Sequence, residues 1–251
     1  MSSQKKKLEG KVAIITGASK GIGAGIAKAF AEEGSSVVVN YASDKKGAEN
    51  TVNEIIAGGG KAIAVYADVS KVEDVAKMFK ETSDTFGRLD TLVNNAGVFK
   101  AIPIEQISVE EFNRHFSINV LGFLLCIKEA LPYFGEKGGS IINMTSVVSE
   151  KGQAEYAIYS GTKGAIQSLT HSLAQELGPR KIRVNAIAPG AIYTEGTHST
   201  FSGETARGLE EVTPLKRIGT PLDVAKVAVF LASDDSEFLA DTRIVVSGGL
   251  K

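Results

Sequence analysis

The chain has 251 residues, of which 43% are hydrophobic and 23% charged, a composition typical of a globular enzyme with a full core. Its formal net charge of -1 argues against nucleic acid or an anionic membrane as the main partner. The sequence has neither an apolar run of about 20 residues nor a signal-like N-terminus, so we expect a cytoplasmic protein without membrane contact.

The cysteine and histidine residues offer little chemistry by themselves. Cys126 lies among apolar neighbours and is predicted to be a small buried side chain rather than a nucleophile. The three histidines, His115, His171 and His198, have no ligand-like spacing with cysteines or carboxylates. We therefore expect no metal site.

Short β-branched segments alternate with longer amphipathic segments along the chain. Strands are predicted at residues 12–16, 36–40, 62–67, 91–94, 140–144, 183–188 and 244–246, and helices include residues 23–33, 71–86, 109–133, 156–177 and 222–231. This alternation predicts an α/β fold, a single Rossmann-type doubly wound sheet of about seven parallel strands with helices on both faces. No linker or repeat divides the chain, so we expect one domain over residues 1–251, with a flexible tail at residues 1–8.

The first predicted strand runs into Thr16-Gly17-Ala18-Ser19-Lys20-Gly21-Ile22-Gly23, and a helix follows at once. Glycines at such a turn let the backbone approach a pyrophosphate, whose charge is stabilised by the N-terminus of the helix. The spacing is G-x-x-x-G-x-G, which differs from the G-x-G-x-x-G of many dinucleotide-binding proteins. Because ligands bind at the carboxyl ends of parallel strands, this turn is a candidate cofactor site.

A tyrosine and a lysine four residues apart, Tyr159 and Lys163, fall within the predicted helix at residues 156–177. This spacing places both side chains on one helix face. A cation beside a phenol favours the phenolate and lowers a pKa that starts near ~10. We therefore predict that Tyr159 exchanges protons near neutral pH, with surface decoration as the alternative.

Further polar residues stand at informative positions. Asn119 lies inside an otherwise apolar helical segment, where an unpaired amide is costly, so it either marks a helix kink or serves a site. Ser146 follows the predicted strand at residues 140–144, with Thr145 and Ser149 as nearby rivals.

The ordered set of motifs resembles the short-chain dehydrogenase/reductase family over nearly the whole chain, and in particular the 3-oxoacyl-carrier-protein reductases and the glucose-dehydrogenase-like members. The matching positions are Thr16-Gly17-x-x-x-Gly21-x-Gly23, Asn94-Asn95-Ala96-Gly97, Asn119, Ser146, Tyr159-x-x-x-Lys163 and Pro189-Gly190. The resemblance implies nicotinamide-dependent hydride transfer, a homotetramer, and four catalytic residues, namely Asn119, Ser146, Tyr159 and Lys163. In that scheme Lys163 also binds the nicotinamide ribose, and Asn119 holds a water in a relay to Lys163.

The resemblance also implies the positions that contact the cofactor. Asp68 and Val69 would meet the adenine, and Asn95, Ala96 and Gly97 would line the adenosine ribose or simply support the sheet. Ile192 and Thr194, after Pro189 and Gly190, would hold the nicotinamide carboxamide. The complete set is Gly17, Ser19, Lys20, Gly21, Ile22, Gly23, Asn40, Tyr41, Ala42, Ser43, Asp68, Val69, Asn95, Ala96, Gly97, Tyr159, Lys163, Pro189, Gly190, Ile192 and Thr194.

The end of the second predicted strand bears on cofactor choice. A carboxylate there would accept the ribose hydroxyls of NAD and repel the additional phosphate of NADP. Residues 40–43, at the end of this strand, include no carboxylate, and Asp44 is expected to cap the following helix. Lys20 is available for the phosphate, with Lys45 or Lys46 as further candidates. We predict a preference for NADPH, with use of NAD left open.

The substrate is expected to be a small carbonyl or alcohol, including a carrier-bound 3-oxoacyl thioester, under a lid at residues 195–217. Two alternatives remain: a sugar or polyol dehydrogenase that runs the oxidation with NAD(P), and a non-catalytic dinucleotide-binding sensor. Apolar residues in the segments at 109–133 and 156–177 exceed what one sheet face needs and are consistent with subunit contacts; they are Leu121, Phe123, Leu124, Ile166, Leu169 and Leu173.

Overall fold

A computed structural model describes residues 6–198 and 201–250. Seven parallel strands form one sheet: β1 (Val12–Ile15), β2 (Ser36–Tyr41), β3 (Lys61–Tyr66), β4 (Thr91–Asn94), β5 (Gly139–Met144), β6 (Ile182–Pro189) and β7 (Arg243–Val246). Their order across the sheet is β3-β2-β1-β4-β5-β6-β7. The winding direction therefore reverses between β1 and β4, which opens a crevice at the carboxyl ends of these strands. The predicted doubly wound α/β fold is confirmed.

Helices cover both faces of the sheet. They are α1 (Gly21–Glu32), α2 (Lys45–Ala57), α3 (Val72–Phe86), α4 (Val109–Phe116), α5 (Gly122–Ala130), α6 (Val148–Lys151), α7 (Ala157–Leu177), α8 (Gly203–Val212) and α9 (Pro221–Ala232). The predicted helix at residues 109–133 is instead two helices, because a π-helical turn at Ser117–Leu121 separates α4 from α5. The expected cap of α2 is present, since the Asp44 carboxylate accepts a hydrogen bond from Gly47 N at 2.9 Å.

Two apolar cores, one on each face, hold the helices to the sheet. Side chains alternate along β1, so that Ala13 and Ile15 pack with α1 and α9, whereas Ile14 packs with α3 and α5. Period-two alternation within a fully buried strand is what two covered faces require. Complete burial of one such isoleucine side chain contributes roughly 1.5–3 kcal/mol.

The predicted tail does not extend to Leu8. The Leu8 side chain is 1% exposed and its N–H donates to Glu33 O at 2.9 Å, while Lys7 forms an ion pair with Asp235. Burial of the leucine side chain fastens this segment beside the end of α1, so the expectation of a flexible tail is wrong for residues 7 and 8. Residues 1–5 lie outside the described part of the chain.

Cys126 is buried within α5 and is not part of a disulfide, as predicted, and burial raises the pKa of its thiol to about 12. A thiol held neutral in this way is a poor nucleophile. Over residues 6–198 and 201–250, no helix is long and apolar enough to cross a bilayer. The same described residues contain no group of three or more histidine, cysteine, aspartate or glutamate side chains that could hold a metal ion.

A buried threonine joins the ends of the two central strands. The Thr16 hydroxyl accepts hydrogen bonds from Asn95 N at 2.9 Å and Ala96 N at 3.0 Å, and it donates to Val93 O. One side chain thus satisfies two backbone donors at the crevice, and unpaired buried donors are costly.

We expect Thr16→Val, which keeps the shape but removes the hydroxyl, to lower the free energy of unfolding by about 2–4 kcal/mol, because two backbone N–H groups lose their acceptor. Urea denaturation of the purified protein measures this difference. Thr16→Ser keeps the hydroxyl and is the matched control, with a smaller expected loss. Equal stability of the valine variant and the wild type would contradict the assigned role.

Candidate active site

Three elements bring the four predicted catalytic side chains to the carboxyl edge of the sheet. Tyr159 and Lys163 lie one turn apart on α7, Ser146 follows β5, and Asn119 lies in the π turn. The predicted common face of the pair is confirmed, since Lys163 Nζ is 5.6 Å from the centroid of the Tyr159 ring. Helix spacing alone explains this proximity.

Burial, however, dominates the protonation of Tyr159. It raises the pKa of the phenol to about 12, and the hydrogen bond with Ser146 and the nearby Tyr156 are smaller influences of opposite sign. The expected lowering of this pKa by Lys163 is therefore not seen in the free protein, because burial outweighs it. The physical reason is that the phenolate loses more hydration energy on burial than its neighbours return.

The Lys163 ammonium is buried next to it. Its Nζ donates to Met144 O at 2.8 Å and lies 5.3 Å from the centroid of the Phe123 ring. Burial lowers the pKa of this amine to about 8. Since a lysine so placed is partly neutral just above pH 7, it can pass protons as well as carry charge.

Ser146 is the hydroxyl that acts on the phenol, since its side chain lowers the pKa of Tyr159 and accepts from Val148 N at 3.4 Å. The rival Thr145 hydroxyl donates to Ile187 O, and the rival Ser149 hydroxyl donates to Ser146 O and Gln167 Oε1. The two rivals thus have other partners. The Arg243 guanidinium donates to Ser146 O at 3.3 Å and supports the backbone of the serine.

The Asn119 side chain fastens the loop after β4 to α7. Its Oδ1 accepts from Val98 N at 2.8 Å, and its Nδ2 donates to Val98 O at 2.8 Å and to Thr162 Oγ1 at 3.1 Å. The buried amide is therefore fully paired, which accounts for a polar residue at this position. A Cβ atom added at Gly97 would lie 3.2 Å from Asn119 Oδ1 and 3.7 Å from Lys163 Nζ, so a glycine keeps the space between them open.

The glycine-rich turn after β1 has the backbone shape that a pyrophosphate site requires. Gly17 and Gly21 have φ angles of +62° and +60°, a region that favours glycine. A Cβ atom at Gly23 would lie 2.5 Å from Gly17 O, so only glycine lets α1 pack directly on the turn. The residues present therefore fit a dinucleotide at this position.

The N-terminus of α1 already binds an anionic oxygen. The side chain of the N-cap residue Lys20 makes no capping hydrogen bond, and Gly21 N donates instead to the Glu195 carboxylate at 3.0 Å. The helix dipole and the free N–H groups favour negative charge at this end. Because Glu195 is on the predicted lid, this contact joins the lid to the glycine-rich turn.

The end of β2 differs from the prediction in one respect. Asn40 is 1% exposed; its Oδ1 accepts from Gly17 N at 3.0 Å and its Nδ2 donates to Ala67 O at 3.0 Å. Its side chain therefore supports the turn and cannot also face a ligand, and this part of the prediction is corrected. Tyr41 is half-buried, and Ala42 and Ser43 are exposed.

Lys20 and Asp44 face each other across this end of the crevice, with Nζ and Oδ2 3.6 Å apart. Both side chains are partly exposed, so the interaction is weak and easily exchanged for another. Ser19 O lies close to Gly47 and accepts from the Thr51 hydroxyl, both on α2. These contacts hold the glycine-rich turn next to Asp44.

The other predicted cofactor positions surround the same crevice. The Asp68 carboxylate accepts hydrogen bonds from the Ser70 N–H and the Ser70 hydroxyl, and Val69 is buried against Gly122. Asn95 Nδ2 donates to Thr16 O and Gly17 O, so the structural role considered for Asn95 is present. Ala96 is half-buried beside Gly17, Gly97 is exposed, and Ile22 is half-buried in the first turn of α1.

The segment after β6 closes the other side. Pro189 O accepts from Val147 N at 3.1 Å. Gly190 packs so closely on Ser247 that a Cβ atom built on Gly190 would lie 2.7 Å from the Ser247 Cβ. Ile192 is buried, whereas the Thr194 side chain comes within contact distance of a Cβ atom built at Gly21. The segment after β6 thus meets the glycine-rich turn.

The predicted lid contains α8, none of whose residues is buried. Its far end is held by the hydrogen bond from Leu215 N to Gly248 O at 3.1 Å and by the Arg217–Asp223 ion pair. Few buried contacts make a segment easy to open locally. Residues 199 and 200 of the lid lie outside the described part of the chain.

Three residues that contact the candidate site were not identified from the sequence. Thr162 pairs with Asn119, Arg243 donates to Ser146 O, and the Phe99 ring lies 6.1 Å from that of Tyr159. Thr162 lies between Tyr159 and Lys163, and its helical spacing could have drawn attention to it. Arg243 and Phe99 are distant in sequence from their partners, and no local pattern marks them.

Comparison with known proteins agrees with this geometry. Residues 17–251 match the family model described as Enoyl-(Acyl carrier protein) reductase. An uncharacterized oxidoreductase of Methylorubrum extorquens is 52% identical over 98% of this chain and 99% of its own length. Versicolorin reductase 1 of Aspergillus parasiticus is 41% identical over 98% of both chains.

Two further similarities extend the comparison. 3beta-hydroxysteroid dehydrogenase 1 of Eggerthella lenta is 41% identical over 97% of this chain and 94% of its own. A solved short-chain dehydrogenase/reductase of Serratia marcescens, a variant with two phenylalanines replaced by tyrosine, superposes with a TM-score of 0.91 at 32% identity, covering 97% of this chain and 99% of its own.

The lowered pKa of Lys163 predicts a stability signature in the free protein. The native amine loses its proton near pH 8, and an unfolded lysine does so near its ordinary value of 10.5. Between these values the unfolded state binds more protons, so stability rises with pH relative to a variant without the amine. From about pH 7.5 to 9.5 we expect wild type to gain about 2 kcal/mol over Lys163→Met in urea denaturation. Parallel pH dependences of the two proteins would contradict the burial effect.

Proposed function

Because the chain belongs to the short-chain dehydrogenase/reductase family, we propose that it reduces a ketone or a 3-oxoacyl thioester to the secondary alcohol, with NADPH as the preferred cofactor and Tyr159 as general acid. Its relatives establish the broader class, an NAD(P)-dependent oxidoreductase that acts on CH–OH or C=O groups. The single observation that best supports the finer proposal is the convergence of Tyr159, Ser146 and Lys163 at the carboxyl edge of the sheet.

The proposed chemistry assigns one task to each side chain. When bound, the nicotinamide cofactor supplies hydride to the carbonyl carbon. Tyr159 donates its phenolic proton to the carbonyl oxygen, and the Ser146 hydroxyl hydrogen-bonds the same oxygen. A phenol that is neutral in the free protein, with a pKa of about 12, begins in the protonated form that a donor requires.

Lys163 then stabilises the tyrosinate and returns its proton. Its amine is buried and has a pKa of about 8, so it releases a proton more readily than an ordinary lysine. Gly97 keeps the space between Lys163 and Asn119 free of a side chain. We propose that a water in this space, held near Asn119, restores the proton to Lys163.

Cofactor binding is assigned to the glycine-rich turn, the ends of β2, β3 and β4, and the segment after β6. Pyrophosphate oxygens would accept from the N–H groups at the start of α1, which requires Glu195 to leave Gly21 N. Lys20 would then exchange its weak contact with Asp44 for the adenosine phosphate of NADPH. The residues that would face the cofactor are those named from sequence, with Asn40 acting through Gly17 rather than directly.

Two alternatives have different support. The first is oxidation of a secondary alcohol, such as a sugar or polyol, by the reverse of the same chemistry. A relative named as a hydroxysteroid dehydrogenase supports this direction of reaction. A non-catalytic sensor is disfavoured because all four proposed catalytic positions are filled and the Lys163 ammonium lies beside the Tyr159 ring. Turnover of any carbonyl or alcohol with NAD(P) would exclude the sensor.

A homotetramer is also proposed. Of the apolar residues named from sequence, Phe123 and Ile166 are core residues, whereas Leu121 is 45% exposed. Val109 and Phe112 on α4 are exposed as well, at 77% and 44%, and Phe112 stacks on Phe116. This apolar surface along α4 and α5 is suited to contact another subunit.

We expect Tyr159→Phe to bind NADPH with an affinity close to that of the wild type but to lose at least about 100-fold in kcat/KM, because the proton donor is gone while the ring remains. Steady-state reduction of ethyl 3-oxobutanoate and calorimetric titration with NADPH provide the two measurements. Tyr133→Phe, at a tyrosine that packs on Phe79 beyond the end of α5, is the matched control. Substantial activity of the Tyr159 variant would refute the assignment.

We expect Lys20→Ala to raise KM for NADPH by roughly tenfold and to change KM for NADH by less than about twofold, because only NADPH carries the phosphate that the ammonium would meet. Initial rates with both cofactors measure this. Lys61→Ala, at the exposed start of β3 and therefore at the amino edge of the sheet, serves as a control for the general loss of a positive charge. A wild-type enzyme equally efficient with NADH would contradict the proposed preference.

A further inference from the structure

We propose that Phe99 and Tyr156 form an aromatic clamp beside Tyr159 that selects flat, ring-bearing ketones over small acyclic ones. The proposal rests on the proposed function, because it names the substrate class for the same site. It depends on three observations: the anchoring of the Phe99 backbone, the exposure of its ring, and the arrangement of the three rings.

The backbone of Phe99 is held on both sides. Immediately before it, Val98 forms two hydrogen bonds with the Asn119 side chain, both 2.8 Å long. Three residues after it, Ile102 N donates to Glu155 O at 2.7 Å, and the Ile102 side chain is buried. The loop is thus fixed to the π turn and to the segment that precedes α7, so the position of Phe99 is determined by its neighbours.

Even so, the Phe99 ring is 51% exposed. A phenylalanine in a well-anchored loop that leaves half of its surface in water forgoes the stabilisation that burial would provide. A ligand that covers the ring recovers it. The location of the ring next to the proposed proton donor makes the substrate the natural partner.

The three rings define the shape of what fits. The centroids of Phe99 and Tyr159 are 6.1 Å apart with planes at 58°, and those of Tyr156 and Tyr159 are 6.2 Å apart with planes at 71°. Phe99 and Tyr156 therefore both pack against the Tyr159 ring, and the three rings form one aromatic group around the phenol. Offset and edge-to-face contacts with a flat ring contribute about 0.5–1.5 kcal/mol each beyond the buried area.

The test compares two ketones, 2-tetralone, which has a fused aromatic ring, and ethyl 3-oxobutanoate, which is acyclic. For Phe99→Ala we expect kcat/KM with 2-tetralone to fall by roughly tenfold or more, and with ethyl 3-oxobutanoate by less than about twofold, because only the first loses ring contacts. Phe99→Tyr should retain the wild-type preference and Phe99→Leu should be intermediate. Phe238→Ala is the matched control, since Phe238 is fully exposed before β7 at the opposite end of the sheet.

Equal losses on both ketones, or no loss on either, would overturn the clamp, as would a wild-type enzyme that reduces only the acyclic ketone. Binding of 2-naphthol, which has no carbonyl to reduce, separates the clamp from the proposed function. If calorimetry shows binding that Phe99→Ala weakens while neither ketone is turned over, the clamp stands and the proposed reaction fails. If wild type does not bind 2-naphthol and Phe99→Ala leaves 2-tetralone reduction unchanged, the clamp fails and the reaction stands.

Discussion

A single buried amide, that of Asn119, connects the parts of this site. Its oxygen and nitrogen both pair with the backbone of Val98, and its nitrogen also reaches Thr162 on the catalytic helix. The π turn that interrupts α4 and α5 places this amide at the crevice. Without this amide, the loop that carries Gly97 and Phe99 would lose its hydrogen bonds to the π turn, and the bond from Ile102 N to Glu155 O would be its remaining link to the segment before α7.

Desolvation, more than pairwise charge, sets the chemistry of the Tyr159–Lys163 pair. Burial stabilises the neutral form of both groups, so it raises the pKa of the phenol to about 12 and lowers that of the amine to about 8. A phenol that stays protonated and an amine that releases its proton easily suit the donor and relay roles proposed for them. The same burial explains why the helix spacing predicts that the two groups meet but not how they ionise.

The cofactor side of the crevice is built from backbone, supported by buried side chains. Thr16, Asn40 and Asn95 all direct their polar atoms at the backbone of the turn or of the adjoining strand ends. This leaves the N–H groups at the start of α1 facing outward, where Glu195 now bonds Gly21. An anion site formed by main-chain donors depends on such support, since glycines by themselves would leave the turn flexible.

The sequence by itself determined the alternating elements and the doubly wound sheet, because period-two and helical patterns and turn glycines are local properties of the chain. Its ordered motifs also named the four proposed catalytic positions. Only the tertiary structure decided that residues 109–133 bend at Ser117–Leu121, that Leu8 is buried, and that Asn40 supports the turn instead of facing the crevice. It alone brought Phe99 and Arg243 to Tyr159 and Ser146. These outcomes depend on burial and on contacts between segments far apart in sequence, and no local pattern carries that information.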